Sequence, residues 1–117
     1  MSWGRWKNRT KFGVRTDPAG VAKRTRNGRV FASQKEARTY DKLMLLEVSG
    51  AISDLRLQPR FPLVVNGILI CTYISDFQYI EEGKEIVEDS KGFKTPDFII
   101  KWKLVQVLYP ELTFRLT

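Results

Sequence analysis

Leu63-Val64-Val65 and Ile68-Leu69-Ile70 flank the dipeptide Asn66-Gly67. This is the strongest short-range constraint in the chain. A type I′ turn needs positive φ at both central residues, and apolar, largely β-branched runs on either side fit paired strands. The chain is therefore expected to fold around an antiparallel hairpin. Upstream, Ile52, Leu55 and Leu57, then Phe61, Leu63 and Val65, read as an extended segment broken near Pro59. Downstream, a strand is expected over 68–80, a polar turn at Glu81-Glu82-Gly83-Lys84 and a third strand over 85–91.

Helices bracket this β region. Ser33-Gln34-Lys35-Glu36 fits a capping box, in which a Ser hydroxyl takes one orphan N–H and the Glu three residues on reaches back. Ala37, Tyr40, Leu43, Met44 and Val48 recur at helical spacing and Gly50 supplies a stop, giving a helix over 33–49. Thr95-Pro96-Asp97 opens a second helix with an N-cap, Pro at N1 and an acid in the first turn. Phe98 to Leu108 is apolar nearly all round, interrupted by Lys101, Lys103 and Gln106, so this helix is expected to be largely buried and to end before Pro110. Leu112 to Leu116 closes as a short strand. The order is α-β-β-β-α-β, and 117 residues without repeats suit one domain.

Composition removes whole classes of chemistry. With no histidine, Ser-His-Asp and Cys-His nucleophilic sites lose their base, and His-dependent nucleases, zinc deaminases and C₂H₂ fingers lose a ligand or base. The single Cys71 excludes an internal disulfide and a Cys-based zinc cage. A metal here would sit on oxygen ligands, which suits Mg²⁺ or Mn²⁺. Met1 to Lys11 is polar and basic with no apolar h-region, and Phe61 to Ile74 is too short and interrupted to span a bilayer. The expectation is a cytoplasmic protein with no membrane partner.

The charge is unevenly placed. Residues 1–30 hold Arg5, Lys7, Arg9, Lys11, Arg15, Lys23, Arg24, Arg26 and Arg29 against Asp17 alone, in a chain of formal net charge +7. Residues 1–28 therefore read as a basic N-terminal arm and 29–117 as the folded domain. Such an arm suits a polyanion, most simply nucleic acid. Trp3, Trp6 and Phe12 lie among the cations, either as stacking and cation–π groups or as packing groups of a solvated tail.

A register argument locates candidate chemistry. If Ile80 faces Glu85 across the 81–84 turn, facing pairs sum to 165 and Asp76 lies opposite Asp89. Facing Cβ atoms are about 4.5–5.5 Å apart, so two such carboxylates call for a cation between them. Lys91, two residues beyond Asp89, shares its face. In another register Asp76 is a solvent-facing strand residue or a partner of Lys91. Glu36 also has two readings, a structural capping residue or a third carboxylate for a metal. Glu88 alternates to the other face, where no metal is expected.

With Glu36, Asp76 and Asp89-Ser90-Lys91 in that order of elements, the chain resembles the PD-(D/E)xK nuclease superfamily. Within it, the chain is similar to a small phage-encoded family grouped with endonuclease I and Holliday-junction resolvase-like proteins. The matching pieces are Phe31 to Ala37, Gly50 to Pro59, Tyr73 to Phe77, Val87 to Gly92, Lys94-Thr95-Pro96 and the helix carrying Lys101 and Lys103. Asp89 stands where Glu is commoner, and Ser75 stands where the superfamily's Pro precedes the acid. The resemblance implies a single restriction-endonuclease-like α/β core with a central mixed sheet. Asp76 and Asp89 would ligate Mg²⁺, Glu36 would add a helix-borne acid, and Lys91 would position water and offset phosphoryl charge. It further implies a DNA endonuclease acting in recombination on branched, Holliday junction-like DNA, encoded by a phage or prophage. Symmetric cutting of two strands calls for a homodimer. The cations of residues 1–30 named above, together with Lys94, would contact DNA. The alternative is a non-catalytic DNA-binding or host-interaction phage protein that keeps the fold. An RNA-binding module fits less well, because no RNP-type aromatic strand or GxxG loop is present.

Overall fold

A computed structural model describes residues 14–91 and 93–117. The chain divides into two compact units, Met1–Lys42 and Leu43–Thr117.

In the N-terminal unit, helix α1 (Pro18–Lys23) leads into a hairpin of β1 (Thr25–Arg26) and β2 (Arg29–Val30). Asn27 (φ 50°) and Gly28 (φ 76°) turn it, the conformation that a two-residue primed turn demands. Residues 14–28, expected as an arm, thus contain a helical turn and most of a hairpin. Helix α2 (Gln34–Ser49) starts here and continues into the second unit. The Glu36 backbone N–H donates to Ser33 Oγ at 3.1 Å, so the Ser half of the capping box is formed. The hairpin is tied to the first turns of α2. Arg26 Nε donates to both Asp41 oxygens at 2.8 and 3.0 Å, and Asn27 Nδ2 donates to Tyr40 Oη at 3.0 Å.

In the second unit, Gly50 (φ 84°) ends α2 and a long bent hairpin follows. Its first arm is β3 (Ser53–Leu57) and β4 (Arg60–Val65), and its second is β5 (Ile68–Ile74) and β6 (Phe77–Glu81). The expected single strand over 68–80 is corrected here, because it breaks at Ser75-Asp76. The cause lies across the hairpin. Gln58 takes φ 52° and Pro59 has no N–H for the ladder. The two arms still bond through the bend, Gln58 N–H to Asp76 O at 3.0 Å and Ser75 N–H to Pro59 O at 3.1 Å. Beyond it, β4 and β5 form a separate two-stranded ribbon closed by Asn66 (φ 51°) and Gly67 (φ 77°). Ile68, Leu69 and Ile70 are exposed at its tip.

Before the bend, β3 and β6 enter a four-stranded sheet of order β3-β6-β7-β8, with β7 (Lys84–Asp89) and β8 (Thr113–Leu116). The first two pairings are antiparallel and β7–β8 is parallel, so the sheet is mixed. Helix α3 (Pro96–Leu108) makes the crossover between the parallel strands. Thr95 Oγ1 accepts from the Phe98 N–H at 3.3 Å as its N-cap, with Pro96 at N1. Phe98 and Val105 of α3 join Phe61, Leu63, Tyr73 and Val87 in the core. Each such fully buried side chain stabilises the fold by about 1.5–3 kcal/mol. The expectation of a largely buried α3 is corrected, because Ile99, Ile100 and Val107 are exposed. A helix laid on a sheet buries only the stripe facing it, whatever the composition of the rest. No helix among the described residues is long and apolar enough to cross a membrane.

Candidate functional site

The β6–β7 register is the one in which Ile80 faces Glu85. Phe77 pairs with Glu88, Gln78 with Val87, Tyr79 with Ile86 and Ile80 with Glu85. The ladder stops one step short of the acids. Asp76 precedes β6 and is not a ladder partner of Asp89. Its Oδ2 instead accepts the Ser90 backbone N–H at 2.8 Å. The bend that ends β5 therefore hangs the Asp76 carboxylate on the residue that follows Asp89.

Asp89 closes β7 and is 0% exposed. Its Oδ2 accepts a short hydrogen bond from the Tyr73 hydroxyl. Its Oδ1 is buried and accepts no hydrogen bond among the described residues. The Lys91 ammonium stands 3.6 Å from Oδ1, an ion-pair distance longer than a hydrogen bond. Lys91 is also held over the Phe98 ring, with Nζ 5.1 Å from the centroid. Burial, and then the charge of Asp89, raise the Tyr73 pKa far above its ordinary value, with Asp76 adding to the effect. Both acids thus act on one phenol. No group of three or more Asp, Glu or Cys side chains that could hold a metal ion is found among the described residues.

The structure brings Asp76, Asp89 and Lys91 together at one end of β7. Glu36 lies in the N-terminal unit, at the start of α2, and is only 5% exposed. Of the expected DNA-contacting cations, Arg5, Lys7, Arg9 and Lys11 lie outside the described residues, as do Trp3, Trp6 and Phe12. Arg15 pairs with Asp17, whose pKa is lowered by that hydrogen bond. Arg24 donates to the carbonyls of Phe31 and Arg15, and Arg26 to Asp41. Lys23, Arg29 and Lys94 are exposed.

Residues 19–117 match the family described as "Protein of unknown function (DUF1064)". The chain belongs to that family. The match takes in all of α1 but Pro18, every strand, both long helices and Asp76, Asp89 and Lys91. No curated protein and no solved structure matches the chain.

Sequence reasoning missed Tyr73. It reads as one more apolar residue of a strand, and only the bend shows its hydroxyl turned onto Asp89. It also missed the β1–β2 hairpin, although Asn27-Gly28 carries the same turn signal as Asn66-Gly67.

Proposed function

We propose that this protein is a Mg²⁺-dependent endonuclease that hydrolyses phosphodiester bonds of DNA, with branched, junction-like DNA as its substrate. The observation that carries the reading is Asp89. A fully buried carboxylate with one oxygen lacking a hydrogen bond is costly unless a cation uses that oxygen. The Lys91 ammonium pairs with that oxygen at 3.6 Å without hydrogen-bonding it, so its hydrogen-bonding capacity stays unused. Counting only the four-stranded sheet and the two long helices, the order α2-β3-β6-β7-α3-β8 supports a restriction-endonuclease-like core of α-β-β-β-α-β type.

The donor set fits a hard cation, since it is made of anionic oxygens and contains no imidazole or thiolate. Asp76 and Asp89 would hold Mg²⁺, with Mn²⁺ as a substitute. A bound Mg²⁺ supplies Lewis acidity toward the phosphoryl oxygen and lowers the pKa of a water. The Lys91 ammonium offsets charge on the phosphate and orients the attacking water. The exposed cations Lys23, Arg29 and Lys94, with those of residues 1–13, supply sequence-independent affinity for phosphates. Cutting two strands symmetrically assigns a C₂ homodimer to the working form. Resolution of recombination intermediates in the cytoplasm of a phage-infected host is the matching role.

The test is cleavage by the purified chain of a four-way junction, a flap, a linear duplex and a single strand. Mg²⁺-dependent cutting of the junction, abolished by EDTA and by Asp89→Asn, is the expected result. Binding without cutting in either Mg²⁺ or Mn²⁺ would replace the reading with that of a non-catalytic DNA-binding protein.

A further inference from the structure

Tyr73 is not needed by the reading above, yet its hydroxyl donates directly to a carboxylate of the proposed site. Its ring is clamped on several sides. Phe61 stacks at 6.2 Å between centroids, Trp102 meets it edge-on at 6.2 Å and Phe98 lies at 6.4 Å. The residue is 3% exposed, so the hydroxyl is delivered to one fixed place. There it donates to Oδ2 of Asp89. That bond engages Oδ2, and Oδ1 is the oxygen without a hydrogen bond. The Lys91 ammonium stands 3.6 Å from Oδ1, at ion-pair distance without a hydrogen bond. A collapsed Asp89–Lys91 pair would neutralise a metal ligand and occupy the lysine at once.

We propose that Tyr73 is a positioning residue, whose hydroxyl pins Oδ2 of Asp89 so that Oδ1 is presented to a divalent cation and kept apart from Lys91. The proposal rests on the metal-site reading of Asp89. It goes beyond a merely structural role, in which Tyr73 is only the donor that a buried acid requires. Hydrogen bonds from outside the ligand shell typically change metal affinity by about 10–100-fold when removed. Tyr79 is an internal control, because its hydroxyl serves Glu88 on the opposite face of β7 in the same way.

The experiment is Mn²⁺ titration of the full chain by calorimetry without DNA, paired with cleavage as a function of Mg²⁺. Tyr73→Phe is expected to weaken Mn²⁺ binding about tenfold or more. It should raise the Mg²⁺ concentration for half-maximal cleavage by the same factor, with KM for DNA unchanged and the rate at saturating Mg²⁺ largely recovered. Tyr79→Phe is expected to leave both metal readouts alone. 4-Aminophenylalanine at position 73 restores a weaker donor and should recover most of the affinity while staying below the parent. If the Phe variant does not fold, that amino variant still reads the role through its lowered affinity at an unchanged melting temperature. Parental Mn²⁺ affinity in the Tyr73→Phe protein, or in the amino variant if that is the one that folds, overturns the proposal alone. A parent chain that binds no Mn²⁺ removes the metal-site reading and this proposal with it.

Discussion

Consecutive residues of β7 carry buried carboxylates to opposite faces of one sheet, and each carboxylate takes a hydrogen bond from a tyrosine. On one face, Glu88 receives the Tyr79 hydroxyl at 2.5 Å and the Thr117 hydroxyl at 3.2 Å, so both of its oxygens are engaged. Arg115 donates to the same Tyr79 oxygen at 3.0 Å and to Glu81 at 3.2 Å. On the other face, Asp89 receives Tyr73 and keeps Oδ1 without a hydrogen bond. Burial alone therefore does not distinguish the two acids. The remaining hydrogen-bonding capacity does: protein donors satisfy both oxygens of Glu88 and only one of Asp89.

Substitution on the two faces should break this comparison most sharply. Asp89→Asn is expected to lower cleavage by about a thousandfold or more, by removing the charge that holds the cation. Glu88→Gln should leave cleavage near the parental level and lower stability by about 1–3 kcal/mol, because an amide fits the two hydroxyl donors less well. Junction cleavage and thermal melting of both variants measure the pair. Equal activity in the two would erase the distinction between the faces.

The separation of the faces is legible in the order of residues alone. Period-two alternation places Glu88 and Asp89 apart, and the Glu81 to Lys84 turn fixes the register that the ladder adopts. That turn is tighter than a polar loop suggests, with Glu82 and Gly83 both at positive φ. The bend is not legible in full. Pro59 marks a break in β3–β4, but nothing in Tyr73 to Asp76 says that the partner strand must break opposite it. Asp76 leaves the ladder for that reason, and Tyr73 reaches Asp89 for the same one. Helix α3 misleads through composition, since apolar content does not say how many sides a helix has to cover. In residues 14–28 the cations outweigh Asp17-Pro18 and Asn27-Gly28, which are ordinary helix-start and turn signals.

Glu36 extends the comparison to a third buried acid. As a capping residue it is replaceable by Gln, which serves equally at N3. As a ligand it is not, because Mg²⁺ favours anionic oxygen. On the ligand reading Glu36→Gln lowers cleavage about tenfold or more with the melting temperature held or raised, and on the capping reading it leaves cleavage at the parental level. Ser33→Ala should do the reverse, losing about 0.5–2 kcal/mol of stability with the hydroxyl that caps α2 and little activity. Parental cleavage by Glu36→Gln would reduce the site to Asp76, Asp89 and Lys91.

The same contrast between engaged and open groups divides the cations. Arg15, Arg24 and Arg26 are tied to Asp17, to backbone carbonyls and to Asp41. Their substitution should lower the stability of the N-terminal unit more than it changes the salt dependence of DNA binding. Lys23 and Arg29 are exposed, Arg29 with its guanidinium over the Phe31 ring and no carboxylate partner among the described residues. Neutralising these two should shrink the slope of log affinity against log salt by about 0.9 for each duplex phosphate they no longer neutralise. Filter binding across a salt series reads both sets. An unchanged slope for the exposed pair would remove them from the DNA surface.

The smallest expected effect tests the closed face alone. Burial, and then the hydrogen bond to Glu88, raise the Tyr79 pKa well above its ordinary value. Below about pH 10, the ordinary phenol value, Tyr79 is neutral both folded and unfolded, and its bond to Glu88 stabilises the fold in full. Above it, the unfolded chain releases a proton that the folded chain keeps. Unfolding is then favoured, and stability falls as pH rises. Tyr79→Phe removes that proton from both states. The variant should melt below the parent near pH 8, because Glu88 loses a donor, and the gap should narrow toward pH 11. Tyr73 is common to both proteins and largely cancels in the difference. Parallel melting curves from pH 8 to 11 would mean that Glu88 is not held by Tyr79, and the contrast with Asp89 would lose its reference.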